Sequence, residues 1–142
     1  MAAANKFQDF VQRLAEKEHQ LSTDQLNWYL SNATPSASLD SVKGDLAEIG
    51  TGFGYSANGV DSQNTGAEAA GTYTLTGTAA TITAAGGTIG PFQYVVLFNL
   101  THASDYLILW WDYGSALTLN DGDSFTIKPN NSLTTGTILT IA

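Results

Sequence analysis

Two stretches decide the fold: Gln93-Tyr94-Val95-Val96-Leu97-Phe98 and Tyr106-Leu107-Ile108-Leu109-Trp110-Trp111. Both are continuous apolar runs of strand length, rich in β-branched and aromatic residues. Such runs mark central strands buried on both faces. Toward the C-terminus, Asn120-Asp121-Gly122-Asp123 predicts a hairpin turn joining Ala116–Leu119 to Ser124–Lys128, and Thr137–Ile141 predicts a closing strand. Toward the N-terminus, Gly90-Pro91 and Gly86-Gly87 predict turns. Ala79–Thr83 has strand period, and Tyr73 and Leu75 alternate with Thr72, Thr74 and Thr76. Short strands at this spacing, without helix–strand alternation, predict a mainly β fold, an antiparallel β-sandwich or Greek-key barrel.

Further upstream the signals weaken. Gly59–Ala70 is small and polar and predicts an exposed loop. Leu39–Ile49 is ambiguous, with Leu46 and Ile49 as candidates to join the sheet, and Pro35 marks a loop. Leu26, Trp28 and Leu30 alternate with polar neighbours and predict a half-buried strand, a second short helix being the other reading. Leu21–Asp24 reads as a stop. Before it, from Ala2 to about Gln20, Phe7, Phe10, Val11 and Leu14 fall at helical spacing on one stripe. An isolated helix of this length is marginal in water, so the stripe needs a partner. That partner is either the chain's own domain or a neighbouring subunit. The organisation predicted is a helical arm over 1–22 and a β-rich domain over 23–142.

Composition narrows the function classes. The 142 residues are 43% hydrophobic but only 13% charged, about half the usual share. Low charge accompanies surfaces covered by other subunits. The net charge of −8 is uneven: −1 through Lys43, and −7 from Gly44 onward, where Lys128 is the sole base. An acidic domain repels phosphate, so no nucleic-acid partner and no anionic membrane is expected. With no cysteine, thiol catalysis and cysteine-ligated zinc are excluded. The start of the chain lacks the apolar core of a signal peptide, and no run approaches the ~20 residues of a membrane span, which predicts an intracellular product.

Catalytic signatures are sparse. Gly50-x-Gly52-x-Gly54 lacks the third glycine of a dinucleotide fingerprint, which would fall on Tyr55, and there is no Walker lysine. A turn or bulge is expected there. His19 reads as a helix-terminal residue against the dipole. His102 beside Asp105 is the one candidate acid–base pair, without a third partner. Asn120–Asp123 could offer oxygen ligands to calcium but lacks the closing glutamate of a calcium loop. Asp45 with Glu48, and Asp105 with Asp112, are carboxylate pairs that any acidic chain offers. Trp110 and Trp111 are the most unusual feature. On a strand they face opposite ways, so one fills the core and the other needs cover from another element, a neighbour or a ligand such as a sugar. The expectation is a non-enzymatic protein with no catalytic residue, cofactor or metal. Its partner-binding candidates are Phe7, Phe10, Val11, Leu14, Trp110 and Trp111.

Four stretches in order, Gly50-Thr-Gly-Phe-Gly-Tyr-Ser-Ala-Asn-Gly59, Gly90-Pro-Phe-Gln-Tyr-Val-Val-Leu-Phe-Asn99, Leu107-Ile-Leu-Trp-Trp-Asp-Tyr-Gly114 and Leu119-Asn-Asp-Gly-Asp-Ser-Phe-Thr-Ile127, resemble small structural proteins of tailed bacteriophages. The likeness covers about residues 45 to 142, and Asn58 departs from the glycine common at its position. The resemblance implies a virion component made in the host cytoplasm, most like a capsid decoration (cement) protein on the capsid surface. Its implied partners are the major capsid protein and neighbouring copies or a homo-oligomer. Tail, baseplate or fibre-attachment components, and a carbohydrate-binding module for host attachment, are the alternatives.

Overall fold

A computed structural model describes residues 3–142. Its strands are β1 (Asn5–Lys6), β2 (Leu26–Ser31), β3 (Val60–Asp61), β4 (Thr65–Ala69), β5 (Thr72–Thr78), β6 (Ala80–Thr83), β7 (Ile89–Asn99), β8 (Leu107–Leu119), β9 (Ser124–Ile127) and β10 (Thr135–Ile141). One α-helix, α1, spans Asp9–Ala15. The strands form a five-stranded sheet in the order β1-β8-β7-β2-β3, a three-stranded sheet β10-β5-β4 and a ribbon β6-β9, with every pair antiparallel.

The two apolar runs pair with each other, Val95 opposite Trp111, Val96 opposite Trp110 and Leu97 opposite Leu109. On the other side β2 aligns Tyr29 with Val96 and Leu30 with Val95. Strand alternation then sorts side chains to two faces. Trp28, Leu30, Val95, Leu97, Leu109 and Trp111 meet Leu75, Ile82, Ile127 and Ile138 from the smaller sheets in the main core. Tyr29, Tyr94, Val96 and Phe98 form a second cluster with Phe7 and Leu46. The register shifts between Leu97 and Phe98, leaving Ile108 unpaired. The bulge sends Ile108 into the main core and Leu107 into the second cluster.

Five expectations are corrected. The strand expected to be half-buried, Leu26–Ser31, is buried at all six of its positions. Its polar residues looked solvent-facing, yet the segment from Leu46 to Asn58 folds over them and takes up their hydrogen bonds. Ser31 Oγ donates to the Ala47 carbonyl (2.7 Å), Tyr29 OH to that of Leu46 (2.9 Å) and Asn27 Nδ2 to that of Asn58 (2.9 Å). Gly59–Ala70 holds β3 and β4 rather than a loop. Backbone pairing to β5 and a Thr65–Thr76 hydroxyl contact of 2.9 Å hold β4 without an apolar face.

Gly90-Pro91 lies inside β7, at an irregularity between Ile89 and Phe92, and its peptide is cis. Ala116–Leu119 continues β8, and the following strand pairs not with it but with β6, Ile127 opposite Ala80. The turn at Asn120–Asp123 does form, but the 84–86 loop captures it. Asp121 Oδ1 accepts the Gly86 N–H (2.9 Å) and the Asp123 carbonyl that of Ala84 (2.9 Å), so the chain crosses to the other layer.

The fifth correction is the helix, which spans seven residues instead of nearly twenty. Lys17 adopts φ 69°, and the N–H groups of Lys17 and Glu18 reach back to the carbonyls of Leu14 and Arg13. This closed C-terminal motif stops the helix. At the other end Asn5 and Lys6 pair with Trp110 and Leu109 as an outer strand.

Candidate functional site

The N-terminal segment is bound into the domain. The Phe7 N–H donates to the Ile108 carbonyl (3.2 Å), and the Phe7 ring, fully buried, packs 4.6 Å from that of Trp110. Phe7 therefore supplies the cover Trp110 needs, while Trp111 fills the main core. Phe10 is buried in the main core with Leu14 packed beside it. Of the six candidate residues only Val11 is well exposed, at 51%. The predicted stripe is thus divided: Phe7 and Trp110 serve one sheet face, Phe10, Leu14 and Trp111 the other. Side chains from both sides of the expected 22/23 boundary share both clusters.

Around Val11 the surface remains apolar. A groove of about 350 Å³ runs between α1, β1 and β10, lined by Lys6, Val11, Leu14, Leu139 and Ile141, with Phe10 at its base. Ile141 is 39% exposed. Leu139 and Ile141 were not predicted as surface contacts, although their i, i+2 spacing on a terminal strand was an available signal.

The two histidines sit where the segment after α1 crosses the end of the large sheet. His19 is buried beyond the helix end, so the dipole role expected for it does not apply. Asn99 Nδ2 donates to His19 Nδ1 (3.0 Å) and to Asp24 Oδ2 (2.6 Å), which leaves the imidazole proton on Nε2, buried without a partner. Its ring lies between Phe10 and Tyr106. His102 Nδ1 accepts the Ser104 N–H (3.1 Å), so its Nε2 donates to Glu18 (2.7 Å). Asp105 is not its acid–base partner: the Asp105 N–H closes a turn onto the His102 carbonyl. These contacts fasten the segment to the β7–β8 connection.

Burial holds the His19 imidazole down to about 4 from its ordinary 6.5 and outweighs Asp24, Glu18 and Asp9, which pull it upward; His102 adds to the lowering. The sign follows from linkage. Stability is fully present above pH 6.5, and falls as the pH drops toward 4, because the unfolded chain takes up a proton that the folded one resists. The expected loss across that window is on the order of 2–3 kcal/mol. Urea melts at stepped pH should show it, and His19→Gln should flatten the slope; an unchanged slope would dismiss His19 as its source.

Asp45, Glu48 and the glycine turn are occupied structurally. Glu48 accepts from Tyr55 OH (2.8 Å) and Lys43 Nζ (2.7 Å), and backbone N–H groups of Ser41 and Val42 hold the Asp45 carboxyl below its usual range. Gly52 and Tyr55 bridge each other across the glycine turn, where a Cβ on Gly54 would come within 2.2 Å of the Thr83 carbonyl oxygen. Among the described residues no cluster of three His, Asp or Glu could hold a metal, and no helix is long and apolar enough to cross a membrane. No protein-family model matches the chain, and no curated protein or solved structure shows significant similarity to it.

Proposed function

We propose that this protein is a structural component of a tailed-phage particle, a decoration protein that seats its apolar groove on the outside of the major capsid shell. The observation that carries the reading is the Val11–Leu14–Leu139–Ile141 groove on a body of net charge −8. An apolar contact patch on an ion-poor acidic body suits protein association and opposes DNA binding. The five-stranded sheet facing the smaller sheets across one core reads as a β-sandwich. The stretches that resemble phage structural proteins make up β7, β8, β9 and the turn at Gly50–Gly59 beside them.

A subunit bridging several shell proteins adds binding free energy that must be lost before the shell opens. Each bound copy contributes ~2.7 kcal/mol at a hundredfold excess over Kd. Particles carrying the protein should therefore withstand higher temperature and osmotic shock than particles lacking it. Attachment should persist at 1 M salt, where screening falls to ~3 Å. The double variant Val11→Glu with Ile141→Glu should detach while keeping its own melting temperature, since both side chains are solvent-exposed. Equal rupture temperatures would remove the decoration reading, and detection only on tails would replace it with a tail or fibre-attachment role.

A further inference from the structure

We infer that the cleft between β8 and β9 binds a single neutral sugar ring. This inference stands apart from the virion reading, because it concerns a different face of the molecule. The cleft has a volume of about 200 Å³, smaller than the ~300–1,000 Å³ of pockets for drug-sized ligands, which suits a one-ring occupant. Its base is apolar, formed by Val95, Trp111 and Phe125, and its rim carries Asp112, Lys128 and Asn131.

Tyr113 supplies the platform. Tyr113 is 56% exposed, and its ring is braced on one edge from within the fold. Its ring meets Phe125 edge-on at 5.8 Å, and Phe125 meets the fully buried Phe92 edge-on at 5.0 Å. An exposed aromatic face held this way loses little rotamer freedom on binding, which limits the entropy cost of association. A pyranose offers what such a face takes: an apolar C–H side, with hydroxyls around its edge.

The rim fits those hydroxyls. Asp112 Oδ1 accepts the Gly114 N–H (2.7 Å) and Gln93 Nε2 (2.9 Å), which fixes the carboxylate while Oδ2 accepts no hydrogen bond from the described residues. Lys128, the only base after Lys43, enters no ion pair among them. The carboxylate accepts from hydroxyls and the ammonium donates to them. Their opposite charges offset each other, so the cleft favours an uncharged ligand over an anionic or cationic one.

The test uses the full chain and a panel of methyl glycosides of neutral hexoses, 2-acetamido hexoses and a hexuronic acid, followed by amide and indole NMR shifts. Saturable binding of at least one member is expected at about millimolar Kd, the scale for a one-ring ligand. Shifts should be confined to the cleft lining on β7, β8, β9 and residues 128–131, with the Trp111 indole among them. Tyr113→Ala and Asp112→Asn should each weaken binding about tenfold with the melting temperature preserved, and Lys128→Ala serves if Asp112→Asn perturbs the strand. No saturation by any panel member, binding that survives Tyr113→Ala, or preference for an acidic sugar would each overturn the assignment. The decoration reading would be untouched by any of these results.

Discussion

Replacing Phe7 with alanine should lower the unfolding free energy by about 3–5 kcal/mol, whereas Val11→Ala should change it by less than about 0.5 kcal/mol. The Phe7 ring is fully buried against Trp110, in a cluster shared with Tyr29 and Phe98, so its removal leaves a cavity the strands cannot close. Val11, at 51% exposure, has little packing to lose. Urea denaturation of the two variants checks the contrast. Deleting residues 1–20 removes Phe7, Phe10 and the β1 pairing together, and the truncated chain should lose its cooperative melt. If it instead melts cooperatively near the parent temperature, residues 1–20 are a dispensable arm.

Gly59→Ala should cost about 4 kcal/mol, among the larger effects of a single substitution. Gly59 adopts φ 64°, and a Cβ there would sit 1.8 Å from the Trp28 carbonyl oxygen and 2.8 Å from the Tyr29 Cα. Those atoms are backbone in the middle of β2, so no side-chain rotation relieves the overlap. The turn would have to lift off the strand and release the Asn27–Asn58 hydrogen bond with it. Gly71→Ala makes a useful control. It shares a positive φ of 83° but meets nothing within 4 Å, so only the backbone cost of about 1–2 kcal/mol should remain. Similar losses in the two variants would show that close approach contributes nothing at Gly59.

What could be read in the sequence was what periodicity encodes. The centres of β7 and β8, Tyr94–Phe98 and Leu107–Trp111, declared themselves as central strands because both their faces are covered and they run apolar without a break, although nothing local showed that they pair with each other. The opposite orientation of Trp110 and Trp111 followed from strand geometry alone. Periodicity misled wherever a polar residue had a buried partner far along the chain. Asn27 and Ser31 made β2 look half-exposed because their acceptors, on Asn58 and Ala47, carry no local trace. The helical stripe was real as spacing, but Phe7 sits on an extended segment captured by the edge of β8, a tertiary preference that outweighs a weak local helix. The hairpin expected at Asn120–Asp123 had correct turn chemistry and the wrong strand partner, because the Asp121 side chain reaches Gly86. The cleft at Tyr113 was invisible for the same reason: Tyr113, Lys128 and Asn131 meet only once β8 and β9 lie in different layers.

The order of strands in the large sheet has a consequence in time. β2 lies early in the chain, yet its fully buried side chains pair with β7, and β1 waits for β8. During synthesis the apolar strand around Trp28 leaves the ribosome long before Asn99 does. It has only the short β3 to pair with until then. Long-range antiparallel pairing of this kind closes slowly. Elongation at ~5–20 residues per second leaves β2 unsheltered for several seconds. The interval of greatest exposure to aggregation is therefore set by translation rate, and it ends when the β7–β8 hairpin arrives to enclose β2.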